Sequence, residues 1–380
     1  MYIEQPKEFE EGGADFIWKL HKMLYGTMQG THNWAENLNK MFEGHSYYRS
    51  SADPQIRSKV IDDELTITLT WTDDILGASS TLEGELSAKA QLSSSYEIKD
   101  LGEAKLILGI WITRNTSGDI ILSQQAYCEQ MIEHFNMGGC ASASTLLPSG
   151  LILENDDCPT NAQDIDEMKN VLYCEALGSL MWLQVATRPD LSFAVNILSR
   201  FTHNPGKPYW NALKHTLAYI KATTHYGVTF KAGGNLDPIS YVDSNFVGFR
   251  ELRWSTEGNI FIVVEGPVSW ESKCQETVAL LTVEAEYMAF TRATFQAIWL
   301  SKFFDEVDLQ INRPVLIYGN NAGSIANTVN NKNHHRTKHI DVKYHFVKEH
   351  TKSGQVKFEY TLSTENIADL FTKPLPRDAV

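Results

Sequence analysis

From Glu64 to Thr70, leucine and isoleucine alternate with threonine: Leu65, Ile67 and Leu69 against Thr66, Thr68 and Thr70. A period of two in apolar and β-branched residues describes a strand with one buried face. It runs directly into Asp73-Asp74 and then apolar Ile75-Leu76. Helical spacing follows over 81–92, then two strands over 106–113 and 119–123 flank the turn Asn115-Thr116-Ser117-Gly118. A helix over 124–136 is ended by Gly138-Gly139. Residues 170–230 read as helical, with Phe193, Ile197, Leu198 and Phe201 forming an apolar stripe on one face and a further helix over 210–221. From Asp237 the pattern changes. It predicts a strand over 238–243, a hairpin of 259–264 and 267–272 around Glu265-Gly266, and a long helix over 281–307. A strand over 314–318, a short helix over 322–329, a basic helix over 339–351, a strand over 356–361 and a helix over 365–371 complete the chain. Trp270, on a strand, and Trp299, on the long helix, read as core residues.

Length and composition narrow the class. At 380 residues, two or three domains are expected, and 43% hydrophobic with 21% charged residues is an ordinary globular balance. The 33 basic residues are outnumbered by 47 acidic ones, a net charge of −14, which argues against a generic electrostatic grip on nucleic acid. Any such binding must come from local basic patches and bound metal. Cys128, Cys140, Cys158, Cys174 and Cys274 contain no Cys-x-x-Cys pair, so reduced thiols in an intracellular setting, cytoplasmic or nuclear, are expected. No apolar run approaches the ~18 residues of a membrane span, so no membrane partner is expected; oligomeric state is not legible.

Three places carry candidate chemistry. Adjacent carboxylates at a strand end repel each other unless a cation sits between them, so Asp73 and Asp74 suggest a turn that presents ligands to Mg²⁺, with a solvated turn as the alternative. Between Asn331 and Lys357, seven basic residues (Lys332, Arg336, Lys338, Lys343, Lys348, Lys352, Lys357) oppose only Asp341 and Glu349. That excess suits phosphate contact, or an ordinary solvated helix face. His335 and His339 stand at the i, i+4 spacing of a metal pair, without a third ligand.

Several segments in order resemble copia-type retrotransposon Pol polyproteins. Tyr2-Ile3-Glu4-Gln5-Pro6, the stretch Lys19 to Gly30, the Asp73-Asp74 hairpin and Lys99-Asp100-Leu101-Gly102-Glu103 to Ile110 resemble the reverse transcriptase part. Thr187-Arg188-Pro189-Asp190 to Phe201 resembles the connecting region. Ser269 to Gln275, Glu284-Ala285-Glu286-Tyr287-Met288-Ala289, His335 to Asp341 with Tyr344-His345-Phe346, and Ala368-Asp369-Leu370 to Leu375 resemble the ribonuclease H part. The resemblance implies an α+β and α/β multidomain chain. Residues 1–148 would form a truncated reverse transcriptase palm and thumb. Residues 149–236 would be a helical connection opened by the acidic linker 154–166, and residues 237–380 a ribonuclease H-like mixed sheet with flanking helices.

The same resemblance implies two Mg²⁺ or Mn²⁺ ions, typically ~3.5–4 Å apart, acting on an RNA–DNA hybrid or primer-template. Their ligands would be Asp243, Glu284, Asp369 and the residue at position 320, with Asp73 and Asp74 serving the polymerase. Lys332, Arg336, Lys338, His339, Lys343 and His345 would meet the nucleic acid; Arg188, Arg200, Lys207 and Lys214 are secondary candidates for backbone contact. Glu286 is expected to point elsewhere and form a salt bridge. Two departures matter. Where the family has aspartate after an apolar strand, this chain has Asn320 in Tyr318-Gly319-Asn320-Asn321, with no acid between Pro314 and Ser324; Asn245 is a smaller change of the same kind. An amide is neutral and its NH₂ donates, so hydrolysis is expected to be impaired. The palm's third carboxylate and the nucleotide-binding fingers are not found in the sequence, so polymerisation by the chain as written is not expected. A non-catalytic nucleic-acid-binding or interaction protein, and a degenerate transposon relic, are the alternatives.

Overall fold

The computed structural model describes residues 2–13, 16–22, 24, 26–148, 150–249, 253–329 and 341–374. They fall into two compact units, residues 1–103 with 302–309, and residues 104–301 with 310–380. The boundaries at 148 and 236 implied by the motifs both lie inside the second unit, and the three-part division remains a proposal about the origin of the segments.

In the first unit a short ribbon of β1 (Tyr2–Glu4) and β2 (Ile17–Lys19) precedes helix α1 (Met28–Gly44). The Thr27 hydroxyl starts that helix by accepting the Gly30 N–H at 3.1 Å. An antiparallel sheet follows, β3 (Tyr48–Arg49), β4 (Ile56–Ile61), β5 (Glu64–Trp71) and β6 (Asp74–Ser79), paired in that order, and then α2 (Leu82–Ser95). The period of two in β5 is present, but its buried face is the threonine one. Thr66, Thr68 and Thr70 are buried while Leu65, Ile67 and Leu69 are half-buried. Partners satisfy two of its three hydroxyls, and Thr68 Oγ1 is buried without one. Thr70 Oγ1 accepts from Arg57 at 3.0 Å, Thr66 bonds Ser79 at 2.9 Å, and buried Arg57 reaches the Asn39 side chain on α1. Leu38, Phe42, Tyr47 and Leu92 form the small apolar core of this unit.

The second unit opens with a sheet of β7 (Leu106–Ile107), β8 (Ile110–Arg114) and β9 (Ile120–Ser123). A helical bundle follows, α3 (Gln125–His134), α4 (Ala162–Met168), α5 (Tyr173–Ala186), α6 (Ser192–Ser199) and α7 (Lys207–Ala222). Leu177, Leu180, Leu183, Leu191, Leu198, Leu213 and Leu217 lie in its core. After the bundle, β10 (Gly227–Phe230) returns to pair antiparallel with β9, Gly227 opposite Ser123. Only glycine fits there, because a Cβ would come within 2.2 Å of the Leu122 carbonyl oxygen.

The rest is a mixed sheet of β11 (Ile239–Phe249), β12 (Trp254–Val263), β13 (Gly266–Cys274), β14 (Val315–Gly319) and β15 (Val356–Tyr360). The order is β13-β12-β11-β14-β15, the first three antiparallel and β11, β14 and β15 parallel. Helix α8 (Thr282–Glu306) crosses from β13 to β14, and α9 (Ala322–Val329) and α10 (Asp341–Lys352) follow. This is the ribonuclease H-like architecture expected of the segment. Along α8 the side chains at 286, 290, 293, 297, 300 and 304 are buried, the spacing of one helix face. The expected helix over 365–371 is a shorter 3₁₀ turn, Ile367–Phe371. It sits so close to the sheet that a Cβ on Gly258 would lie 2.5 Å from Phe371 Cβ. Of the two tryptophans, Trp270 packs against this turn's cluster and donates to the Gln184 carbonyl at 2.8 Å, whereas Trp299 is 41% exposed and is not a core residue.

Candidate metal and nucleic-acid site

Within β11, Asp243 acts electrostatically on two other acids. Glu286, from the first turns of α8, and Asp369, from the 3₁₀ turn, both feel its charge. Glu284, expected as a ligand, is also buried but is engaged differently. Its Oε2 accepts the Leu280 N–H at 2.7 Å, so its carboxylate caps the start of its own helix. Two residues along a helix turn the side chain by about 200°, so only one of the two glutamates can face Asp243. Glu286 is the one whose carboxyl, raised first by burial, is raised further by the charge of Asp243, and the expected salt bridge elsewhere is replaced by this acidic neighbour.

Burial and like charge dominate the electrostatics. The Glu286 carboxyl, 6% exposed, is pushed up to about 9, first by burial and then by the Asp243 charge, against a hydrogen bond from the Ser244 backbone. Asp369 is also raised, by burial and by Asp243, although Lys373 Nζ lies 2.7 Å from its Oδ2 and opposes the shift. Asp243 has both oxygens occupied. Asn320 Nδ2 donates to Oδ1 at 3.1 Å, and the buried Thr372 hydroxyl donates to Oδ2. Asn245 Nδ2 in turn holds the Thr372 carbonyl at 3.2 Å. By contrast, Glu286 Oε2 and Asp369 Oδ1 are buried with no hydrogen-bond partner.

The fit to divalent cations is therefore partial. Two unpartnered carboxylate oxygens suit one hard cation. Asp243 and Asn320 do not suit a second, because the amide offers its NH₂ to the carboxylate. Among the described residues, no three His, Cys, Asp or Glu side chains are grouped to hold a metal ion.

Another buried acid lies nearby in the sheet. Glu257 on β12 is held by Gln275 Nε2 at 3.1 Å, and burial pushes its carboxyl up to about 7.

The other expected residues are placed as follows. Asp73 and Asp74 are exposed in the β5–β6 turn, with Asp74 opposite Trp71 and Thr72 at a φ of +51°. Trp34 Nε1 donates to the Thr72 carbonyl at 2.9 Å and pins that turn. Lys343 is half-buried and His345 exposed on α10. Lys332, Arg336, Lys338 and His339, and the His335–His339 pair, lie outside the described residues.

Arg188 is 1% exposed and serves the interior. It grips Asp190 with two bonds of 2.9 and 2.7 Å, bonds the Thr223 carbonyl and hydroxyl at 3.0 and 2.8 Å, and lies over Tyr219 and Tyr226. Arg200 reaches Thr256 at 3.3 Å, Lys207 lies 3.5 Å from Glu167, and Lys214 covers Trp210. Sequence reasoning missed Glu286, Thr372 and Lys373 as members of this site.

Comparison with known proteins adds relatives to this geometry. The family model described as "Reverse transcriptase (RNA-dependent DNA polymerase)" matches residues 1–148. The whole chain is 38% identical to the retrovirus-related Pol polyprotein from transposon TNT 1-94 of Nicotiana tabacum and covers 28% of that protein. It is 30% identical to the polyprotein from transposon RE1 of Arabidopsis thaliana, again over the whole chain and 25% of the relative. The chain thus spans about a quarter of these curated relatives. Residues amounting to 35% of the chain are 46% identical to secreted RxLR effector protein 161 of Plasmopara viticola, covering 94% of it. Among solved structures, LC11-RNase H1 in complex with RNA/DNA hybrid aligns with 36% of this chain and 93% of its own at 16% identity and a TM-score of 0.27. The strand order, not this likeness, carries the fold assignment.

Proposed function

The chain belongs to the family of copia-type retrotransposon Pol polyproteins, and from that premise we propose that it is a reverse transcriptase and ribonuclease H segment that engages RNA–DNA hybrids through a hydrolytic centre impaired at one corner. One observation supports this above the others. Burial and the charge of Asp243, within β11, together raise the carboxyls of Glu286 and Asp369, while position 320 supplies a hydrogen-bond donor to Asp243 in place of a fourth carboxylate. Mg²⁺ or Mn²⁺, when bound, would activate the attacking water and stabilise the leaving oxygen. Glu286 and Asp369 would hold such a cation with their unpartnered oxygens. Asp243 is engaged by Asn320 and Thr372 and has no oxygen without a donor. Lys343 and His345 on α10, together with Lys332, Arg336, Lys338 and His339, are the groups proposed to meet the hybrid backbone.

Single-turnover cleavage of a labelled RNA–DNA hybrid tests this reading. Asn320→Asp is expected to hydrolyse at least ~10²-fold faster than the native chain, the order of effect that charge stabilisation by a metal supplies. Equal rates would overturn it. Asp73 and Asp74 would serve a polymerase centre, but among the described residues no third acidic side chain joins them, so primer extension by this chain alone is not expected. The occupied oxygens of Asp243 favour a second reading, a hybrid-binding module without catalysis. It is separated from the first by hybrid binding that persists in EDTA while the Asn320→Asp variant remains inactive.

A further inference from the structure

Three donors close on the acidic cluster from two short segments of chain. Asn320 follows β14, and Thr372 and Lys373 follow the 3₁₀ turn. Between them they bond both oxygens of Asp243 and one of Asp369. Thr372 is fully buried and its carbonyl is tied back by Asn245. The 3₁₀ turn can lean this close only because Gly258 carries no side chain, since Phe371 Cβ would lie 2.5 Å from an added Cβ. A carboxylate pair of this kind ordinarily needs a cation between its members; here an amide, a hydroxyl and an ammonium group take that place.

We propose that Asn320, Thr372 and Lys373 form a clasp that compensates the acidic cluster from within, so that this region is fully folded without divalent ions, and that aspartate at position 320 makes its stability depend on them. The chemistry at position 320 decides the sign. Aspartate has the shape of asparagine, but the atom 3.1 Å from Asp243 Oδ1 would then be an unprotonated oxygen. A donor is lost and a repulsion gained in one step, and a divalent cation relieves both. The proposal deepens the reading given above for the same cluster, yet it is tested without nucleic acid. Failure to bind or cleave a hybrid would therefore count against that reading and leave the clasp untouched.

The test is thermal unfolding of the full chain by calorimetry, in EDTA and then with MgCl₂ or MnCl₂. The native chain is expected to rise by no more than about 2 °C with the ion, the increment of one weakly held cation, whereas Asn320→Asp falls by about 3–6 °C in EDTA and recovers with the ion. An ion-dependent rise in the native chain as large as that of the variant overturns the proposal. So does an Asn320→Asp variant as stable in EDTA as the native chain. Should Asn320→Asp fold in neither condition, Thr372→Val decides. A midpoint lowered in EDTA and partly restored by MnCl₂ supports the clasp, and an unchanged midpoint overturns it.

Discussion

Two buried charged groups in the second unit solve the same problem in opposite ways. Around Arg188, a guanidinium meets Asp190 in a two-bond pair, Thr223 takes two further donors, and Tyr219 and Tyr226 cover the faces. Opposite charges cancel there, and the side chain's hydrogen bonds run inward to other parts of the bundle. Around Asp243 the buried groups are of the same sign, and they are met by a Glu286 carboxyl pushed up to about 9, donors from Asn320 and Thr372, and Lys373 beside Asp369. Two oxygens still remain without partners. Completed pairing marks a group that holds the fold together, and leftover valence among like charges marks one shaped for something outside the protein.

Removing a partner from the completed pair should have the largest effect. Arg188→Met leaves Asp190 buried without its counter-charge and is expected to cost about 3–5 kcal/mol of stability in denaturant unfolding. A loss below 1 kcal/mol would show that the pair is not the keystone its geometry implies. The acidic group should instead respond to pH. Glu286 and Glu257 have carboxyl pKa values raised to about 9 and about 7 from an ordinary 4.5, so the folded chain holds protons that the unfolded chain releases. Their contribution is complete below pH 4.5 and is lost as pH rises, through about 7 for Glu257 and about 9 for Glu286. The Glu257 part is worth about 3 kcal/mol, and Glu257→Gln should flatten the stability–pH curve over that window. An unchanged slope would rule this out. The exposed pair of the first unit sets the lower end of the scale. Asp73→Asn and Asp74→Asn should leave stability within about 0.5 kcal/mol of the native chain, because water already satisfies that turn.

Much of the fold was legible because sheet order follows from element order once strands and crossover helices are recognised. The strand ending at Gly319, the long helix and the β5–β6 hairpin stand near their expected positions, whereas the strand expected to end at Asp243 runs on to Phe249. Asp243 and Asp369 were legible as the acids that follow apolar strands or open a last turn. Glu286 was obscured by its neighbour Glu284, since both fit the motif and both are buried, and only the charge of Asp243 acting on Glu286 distinguishes them. The buried threonine face of β5 was obscured for a related reason. Alternation reveals two faces, but which is covered depends on partners such as Arg57 and Ser79 that lie elsewhere in the chain. Thr372 and Lys373 left no pattern at all, because one hydroxyl and one ammonium bonded across the site have no periodicity.

The pairing of β9 with β10, made possible by Gly227, has a topological consequence. The backbone enters the helical bundle at Ser123 and leaves it at Gly227, directly across a ladder, so the chain from 124 to 226 is closed at its base by a zipped gate. A cut in the acidic tract 154–166 would open the covalent thread without opening that gate, and the severed pieces would stay joined by main-chain bonds and a shared leucine core.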